Sequence, residues 1–183
     1  LFDRQRFQLI LQDTFWFSDT PYRVASTSWG NSIPRICTMA VLLDRHTRRT
    51  VVVCNAHWDH RSQPSRLASA ELLIRRLRHL GGQNASVLVL GDFNAGEGNP
   101  AFAHLLSKEP HGLRDSFRVL HPMEQEVGTF NGFKGDSSGE KIDAVLVGKK
   151  WQVLESGISR TPKGQPSPSD HDPVWARLGF GER

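Results

Sequence analysis

Two apolar runs separated by a short polar turn limit what this chain can fold into. The runs "PRICTMAVLLD" and "RRTVVVCNAH", joined through "RHT", predict an antiparallel β-hairpin. A helical stretch follows, in which Leu67, Ala70, Ile74 and Leu77 recur at helical spacing. The run "SVLVLGDFN" then predicts a short buried strand. A hairpin followed by a helix and another strand indicates an α/β fold with mixed sheets.

The second half of the chain continues this alternation. "NPAFAHLL" predicts a helix with Asn99 as its cap and Pro100 at its first position. "LRDSFRVL" predicts a shorter helix, and a Gly-rich stretch, "GTFNGFKGDSSG", precedes three strands, "KIDAVLVG", "WQVLESGIS" and "PVWARLGF". A length of 183 residues without repeats fits one domain, which we predict to span residues 1–183.

The composition of the chain excludes few classes of function. The formal net charge of +4 is compatible with a polyanionic partner, but many enzymes of neutral substrates are as basic. The longest apolar runs are far shorter than the roughly 18 residues that a membrane span needs. Cys37 and Cys54 are predicted to be buried free thiols, which leaves the compartment open. The oligomeric state also stays open.

Polar residues follow several of the predicted strands. Asn55, His57 and Asp59 alternate where one strand ends, so we expect them on one side of it. Carboxylates, amides and histidines also follow or begin other strands, at Asp92, Asn94, Asp143, Asp170, His171 and Asp172. Such side chains at several strand ends are typical of an active site on a sheet scaffold.

These residue types favour two kinds of hydrolytic site. Mg²⁺ prefers carboxylate oxygens and bridges to phosphate, while histidine donates to a phosphoryl oxygen or transfers a proton. The alternative is a zinc clasp, because His57, Asp59 and His60 resemble the end of the metallo-β-lactamase-like motif. That motif needs a histidine where this chain has Asn55, and it leaves the later motifs unexplained. The phosphate interpretation is therefore preferred, with His60 outside the chemistry.

The order of the motifs resembles a known family. An "NxHxD" strand end followed by "GDFN", "KIDAVLV" and "SDHDPV" is similar to the endonuclease/exonuclease/phosphatase superfamily. The resemblance covers nearly the whole chain, and "GTFNGF" and "TFWFSDTP" resemble a bacterial and fungal branch. It implies the DNase-I-like four-layer α/β sandwich, with two mixed, mainly antiparallel sheets flanked by helices. Each motif alone is a common loop sequence, so their joint order carries the interpretation.

The resemblance also implies roles for individual residues in Mg²⁺-dependent hydrolysis of phosphoesters, with Mn²⁺ as another possible cofactor. His57 would bind the scissile phosphate, and Asp92 with Asn94 would position or deprotonate the attacking water and hold the phosphoryl group. Asp143 would pair with His171, which would bind the developing oxyanion or share in proton transfer. Asp170 would contact the metal. The identity of the general base stays open.

One part of the family pattern does not occur in this sequence. The family places a metal-binding Glu and an Asn on strands upstream of the region where this chain begins, whereas the first glutamate here is Glu71. We therefore expect the chain to be the C-terminal part of the family domain, without its N-terminal strands. A non-catalytic remnant or binding module is the alternative to an enzyme.

Substrate contacts can be predicted only by residue type. The substrate is expected to be a phosphoester, with nucleic acid or a nucleotide among the candidates and a diester slightly preferred. The candidate contact residues are Asn55, Arg35, Trp58, Phe130 and Asn131. Arg35 could meet a phosphate, and the aromatic and amide groups could meet a base or a sugar.

Overall fold

The computed structural model describes residues 1–81, 85–106, 112–135, 138–162 and 165–181. The elements along this part of the chain are strands and helices in mixed order. They are β1 (Phe7–Trp16), β2 (Ile36–Asp44), β3 (Thr50–His57), α1 (Gln63–Gly81), β4 (Ser86–Asp92), α2 (Pro100–Leu106), β5 (Arg114–Asp115), α3 (Ser116–Leu120), β6 (Asp143–Val147), β7 (Trp151–Ile158) and β8 (Val174–Phe180).

Six of the strands form one mixed sheet in the order β1-β2-β3-β4-β6-β5. The predicted hairpin is confirmed, because β2 and β3 pair antiparallel with Met39 opposite Cys54. β3 and β4 pair in parallel, and helix α1 makes the crossover between them. Strands β7 and β8 form a separate antiparallel sheet. The predicted α/β fold with mixed sheets is confirmed.

Apolar side chains cover both faces of the six-stranded sheet. A larger core contains Cys54 and Val89 from the sheet with Leu73 of α1 and Phe102 of α2. A smaller core contains sheet residues together with Trp151 of the second sheet. Helices α1 and α2 and the two-stranded sheet are therefore separate layers on opposite sides of the central sheet, as a sandwich requires.

The helices begin and pack largely where the sequence predicts. The Asn99 side chain accepts a hydrogen bond from the Ala101 N–H at 2.9 Å, so the predicted cap of α2 is confirmed. On α1, Ala70, Ile74 and Leu77 are buried. Leu67, which shares the helical spacing, is 39% exposed. The apolar face of α1 runs through Leu73 instead, and Leu67 lies at its margin.

Gly91 allows the strand ends to meet. Its φ of +134° lies outside the range that other residues readily adopt, and an added Cβ would lie 1.9 Å from the Ala56 carbonyl oxygen. This close approach brings the carboxyl ends of β3 and β4 side by side. His57 is consequently opposite Asp92, and Asp92 is opposite Asp143 on β6.

Two composition-based expectations can be compared with the structure. Cys37 and Cys54 are buried free thiols, as predicted. Within the described ranges, none of the helices combines the length and apolar character needed to cross a membrane.

Candidate active site

Three adjacent strand ends and one loop bring the predicted residues together. His57 ends β3, Asp92 ends β4 and Asp143 begins β6, so these three follow one another across the sheet. His171 comes from the loop before β8 and forms an isolated bridge with Phe130 of the Gly-rich stretch. Residues from motifs that are far apart in the sequence therefore lie close together in the structure.

Asp143 holds the ring of His171. The Nδ1 atom of His171 lies 2.7 Å from Asp143 Oδ2, so the pairing implied by the family resemblance is present. Burial lowers the pKa of His171, but the hydrogen bond to Asp143 and the nearby carboxylates outweigh it and raise that pKa above its usual value. Asp143 is itself held by Thr129, whose hydroxyl oxygen accepts from the Asp143 N–H at 3.0 Å. His171 is thereby presented as a ring that readily carries a proton.

Asn94 orients the carboxylate of Asp92. The Asn94 backbone N–H donates to Asp92 Oδ1 at 2.8 Å, and its side-chain Nδ2 donates to Asp92 Oδ2 at 3.1 Å. The same Nδ2 donates to the Trp58 carbonyl at 2.9 Å. Burial raises the pKa of Asp92, the Asn94 N–H opposes that rise, and the charge of Asp143 adds to it. The amide nitrogen of Asn94 is thus committed to fixing Asp92.

His57 lies between the carboxylate of Asp92 and the guanidinium of Arg35. Its Nε2 is 3.3 Å from Asp92 Oδ2 and 2.8 Å from Arg35 Nη1. Burial lowers the pKa of His57, the charge of Asp92 opposes that effect, and the Arg35 guanidinium reinforces it. The side chain of His57 remains 53% exposed. A neutral, accessible imidazole therefore stands next to the Asp92 carboxylate.

A divalent cation fits one part of this site. Among the described residues, Asp92, Asp143 and His171 each offer one ligand atom, and these atoms lie within 4.8 Å of one another. Two carboxylates match the oxygen preference of Mg²⁺. The predicted metal ligand, Asp170, lies outside this set. Its carbonyl oxygen accepts from the Asn131 N–H at 2.7 Å, and its carboxylate is 3.4 Å from Ser169 Oγ.

The zinc-clasp alternative does not fit the geometry. His57 Nε2 and His60 Nδ1 both face the Arg35 guanidinium, whose positive charge opposes a cation at those nitrogens. Asp59 is only 2% exposed, and its Oδ1 accepts from two backbone N–H groups of the following turn. The sequence predicts that Asn55, His57 and Asp59 lie on one side of the strand end. This is confirmed for Asn55 and His57, which are exposed, and is wrong for Asp59, which is buried.

The substrate-contact predictions divide by burial. Trp58 is fully buried edge-on against Phe93, so the predicted aromatic contact there is wrong. Asn131 is 2% exposed and its amide donates to Asp172 at 2.8 Å, so this prediction is also wrong. Arg35 is 8% exposed and contacts histidines, which places it behind the site surface. Asn55 and Phe130 are exposed and remain predicted contacts, with the Phe130 ring 5.2 Å from that of His171.

Two supporting residues have roles that the sequence did not reveal. The sequence predicts Arg35 only as a phosphate ligand, although its place just before β2, opposite the end of β3, is compatible with contact with His57. Thr129 is fully buried and accepts from the N–H groups of Ile142 and Asp143. The "GTF" segment contains no signal for this role, because β-branched residues are common beside strands.

Known proteins resemble this chain in sequence and in fold. Exodeoxyribonuclease III of Haemophilus influenzae is 33% identical over 74 residues, which are 37% of this chain and 28% of that protein. The endonuclease/exonuclease/phosphatase of Bacteroides vulgatus is 25% identical with a TM-score of 0.84, covering 98% of this chain and 68% of that one. The mannosyl-6-phosphatase of Bacteroides thetaiotaomicron is 29% identical with a TM-score of 0.79, covering 98% and 69%.

The family model for these proteins matches most of the chain. It aligns with residues 7–171, a range that contains every strand end of the site described above. The predicted superfamily and its DNase-I-like fold are thereby confirmed. This chain belongs to the Endonuclease/Exonuclease/phosphatase family.

Proposed function

We propose that this protein hydrolyses phosphoester bonds by attack of water at phosphorus, with Mg²⁺ as cofactor and Mn²⁺ as its substitute. One observation carries the proposal: two carboxylates and two imidazoles converge at adjacent strand ends, with Asp92 next to both histidines. Carboxylates can bind a metal ion or accept a proton, and imidazoles can donate one, and hydrolysis of a phosphoester uses both functions.

Each residue then has a defined task. Asp92, fixed by Asn94, accepts the proton of the attacking water as the new oxygen–phosphorus bond forms. His171, fixed by Asp143, gives a proton to the leaving oxygen as the old phosphorus–oxygen bond breaks. His57 contacts a phosphoryl oxygen from its exposed side. The proton lost by water and the proton gained by the leaving group thus belong to different residues.

The carboxylates of Asp92 and Asp143 would hold the metal, with His171 beside them. When bound, the ion polarises the phosphoryl group and offsets its developing negative charge. We retain Asp170 as a proposed outer ligand, because its charge acts on His171. The chain's own contribution is to orient these groups: Asn94 donates to the Asp92 carboxylate, and Thr129 accepts from the Asp143 backbone N–H.

The substrate is proposed to carry an apolar or ring-shaped group next to the phosphate. Phe130 is 51% exposed and packs edge-on against His171, so its free face adjoins the leaving-group side of the site. A sugar or a nucleobase can stack on such a ring. The relatives named a mannosyl-6-phosphatase and an exodeoxyribonuclease indicate both kinds of partner. A phosphodiester is our first choice and a sugar phosphate the second.

The decisive experiment measures turnover of an activated phosphodiester and the matching monoester by metal-stripped protein, with Mg²⁺, Mn²⁺ or Zn²⁺ restored in turn. We expect turnover with Mg²⁺ or Mn²⁺ that disappears in Asp92→Asn. Asp13→Asn, on the far edge strand β1, is the matched control and should retain activity. No turnover with any metal in a folded protein would overturn the proposal and favour a non-catalytic binding module.

A further inference from the structure

Arg35 connects two histidines through a single guanidinium group. It precedes β2 and is 8% exposed. Its Nη1 lies 2.8 Å from His57 Nε2, and its Nη2 lies 2.7 Å from His60 Nδ1. One planar group therefore sets the position of both rings, and a shift of the guanidinium would move both.

The chemistry of the guanidinium determines where each imidazole carries its proton. Arginine keeps its charge and has only donor N–H groups, so a ring nitrogen that contacts it must accept. His57 is consequently unprotonated at Nε2 and carries its hydrogen on Nδ1. His60 is unprotonated at Nδ1 and carries its hydrogen on Nε2. Each ring is held as one neutral tautomer.

The neighbouring carboxylate does not reverse this assignment. Asp92 Oδ2 lies 3.3 Å from His57 Nε2 and would accept a hydrogen there, but the contact from Arg35 is shorter, at 2.8 Å, and comes from an obligatory donor. Asp92 Oδ2 therefore receives no N–H from His57. Beside its hydrogen bond from Asn94, that oxygen keeps a lone pair that can accept a proton from water or bind a cation.

Asp59 explains how Arg35 can be buried. The Nε of Arg35 is 3.6 Å from Asp59 Oδ2, and both side chains are less than 10% exposed. The other carboxylate oxygen of Asp59 accepts from the N–H groups of Arg61 and Ser62, at 2.9 and 2.7 Å. The buried charge of Arg35 is thus balanced by a carboxylate that the backbone fixes. The guanidinium is thus held by Asp59 and contacts the two imidazoles.

We propose that Arg35 is a positioning residue that fixes the tautomers of His57 and His60, and that these rings present two neutral N–H donors to oxygens of one phosphoryl group. His60 thereby becomes a substrate contact, although the sequence places it outside the chemistry. Both histidines are exposed, so their remaining N–H groups are accessible. The substrate-binding part of this inference rests on the proposed function, whereas the tautomer part does not.

The first test is nitrogen NMR of the whole chain with ¹⁵N-labelled histidine. We expect His57 to show a protonated Nδ1 and His60 a protonated Nε2, and both patterns to change in Arg35→Met, which has no donor. Arg35→Lys serves if the Met variant does not fold, because one ammonium cannot reproduce the two-pronged contact. A protonated Nε2 on His57 in the unaltered protein, or unchanged patterns in the folded variant, would overturn the proposal.

The second test uses turnover of the activated phosphoester. Arg35→Lys should lower kcat/KM by about 10- to 100-fold, as the loss of an outer-shell orienting partner commonly does. His60→Ala should raise KM, and His60→Gln, which keeps an N–H donor, should recover part of the loss. Arg118→Lys alters a partly buried guanidinium that pairs with Glu97, and its kcat/KM should be unchanged. Full kcat/KM in Arg35→Lys would overturn the positioning role while leaving the proposed hydrolysis intact.

Discussion

Two clusters of charged and polar side chains are built from neighbouring segments of the chain. We define the open cluster as His57, Asp92, Asp143 and His171, and the closed cluster as Glu97, Asp115, Arg118 and Lys141. Lys141 in the closed cluster is only two residues before Asp143 in the open one. The Lys141–Asp115 pair of the closed cluster is almost fully buried, whereas Glu97 and Arg118 are partly exposed, as are all members of the open cluster.

The clusters differ most in charge balance. In the closed cluster, Lys141 Nζ lies 2.5 Å from Asp115 Oδ2, and Arg118 forms two hydrogen bonds to Glu97 at 2.7 and 2.8 Å. Two permanent cations there face two carboxylates. In the open cluster, the cationic partners are replaced by histidines, which can be neutral, so carboxylate charge is left for a cation or a proton. Balanced ion pairs support the fold, whereas unbalanced carboxylates can bind and react.

The largest effect should come from breaking the closed cluster. Lys141→Ala leaves the Asp115 carboxylate buried without its ammonium partner, because the two side chains are 1% and 4% exposed. We expect the free energy of unfolding to fall by about 3–5 kcal/mol, as for other broken buried pairs. Chemical denaturation measures this, with the exposed Lys149→Ala as the control. A stable Lys141 variant would show that the closed cluster does not support the fold.

The matching change in the open cluster should affect turnover and spare stability. Asp92→Asn removes the proposed acceptor of the water proton, while the hydrogen bonds from Asn94 can still reach the remaining oxygen. We expect kcat to fall by about 10²- to 10⁴-fold, the usual contribution of a general base. The unfolding midpoint should not fall, because a carboxylate whose pKa is raised by burial is itself unfavourable there. A large loss of stability in Asp92→Asn would show that the open cluster, like the closed one, supports the fold.

A smaller effect is expected from Asp143→Asn. The amide can still contact His171 Nδ1, but it no longer stabilises the protonated ring. We expect kcat/KM to fall by about 10- to 100-fold, the range for a group that orients another residue. The pKa of His171, followed by proton NMR, should drop because the hydrogen bond and charge that raise it are weakened. An unchanged pKa would contradict the pairing.

Sequence reasoning predicts the open cluster much better than the closed one. His57, Asp92, Asp143 and His171 occur where strands begin or end, and strand ends can be read from apolar runs and from Gly91. The motif order then indicates that they meet. Lys141 has the same kind of position in "KIDAVLV", yet nothing in that segment distinguishes a fully buried lysine from an exposed one.

The failed predictions share one physical cause. Trp58 and Asn131 are the residue types that recognise ligands, but the same types also fill cores and satisfy buried hydrogen bonds. The choice depends on which face a side chain takes after the strand has ended, where alternation no longer applies. The contact of Arg35 with two histidines depends on a distance across strands, which no local pattern encodes.

The smallest effect, and the last test of the comparison, is acid sensitivity. Burial opposes ionisation of Glu97, but hydrogen bonds from Arg118 and the charge of Lys141 outweigh it and hold its pKa below the ordinary 4.5. A carboxyl whose pKa is lower in the folded than in the unfolded state stabilises the fold above the unfolded pKa. That stabilisation is lost as pH falls through the folded pKa.

Glu97→Gln should therefore weaken the dependence of unfolding free energy on pH below about 4.5 and leave kcat/KM near neutral pH unchanged. The effect should be modest because Glu97 is one-third exposed and solvent screens the pair. The open cluster should behave in the opposite way: the raised pKa of His171 stabilises the fold below the ordinary 6.5, and this contribution is lost as pH rises through the folded pKa. Denaturation curves from pH 3 to 8 for Glu97→Gln and His171→Asn would separate the acidic range governed by Glu97 from the near-neutral range governed by His171. A Glu97 variant that changed stability only in the near-neutral range would show that the two clusters are coupled.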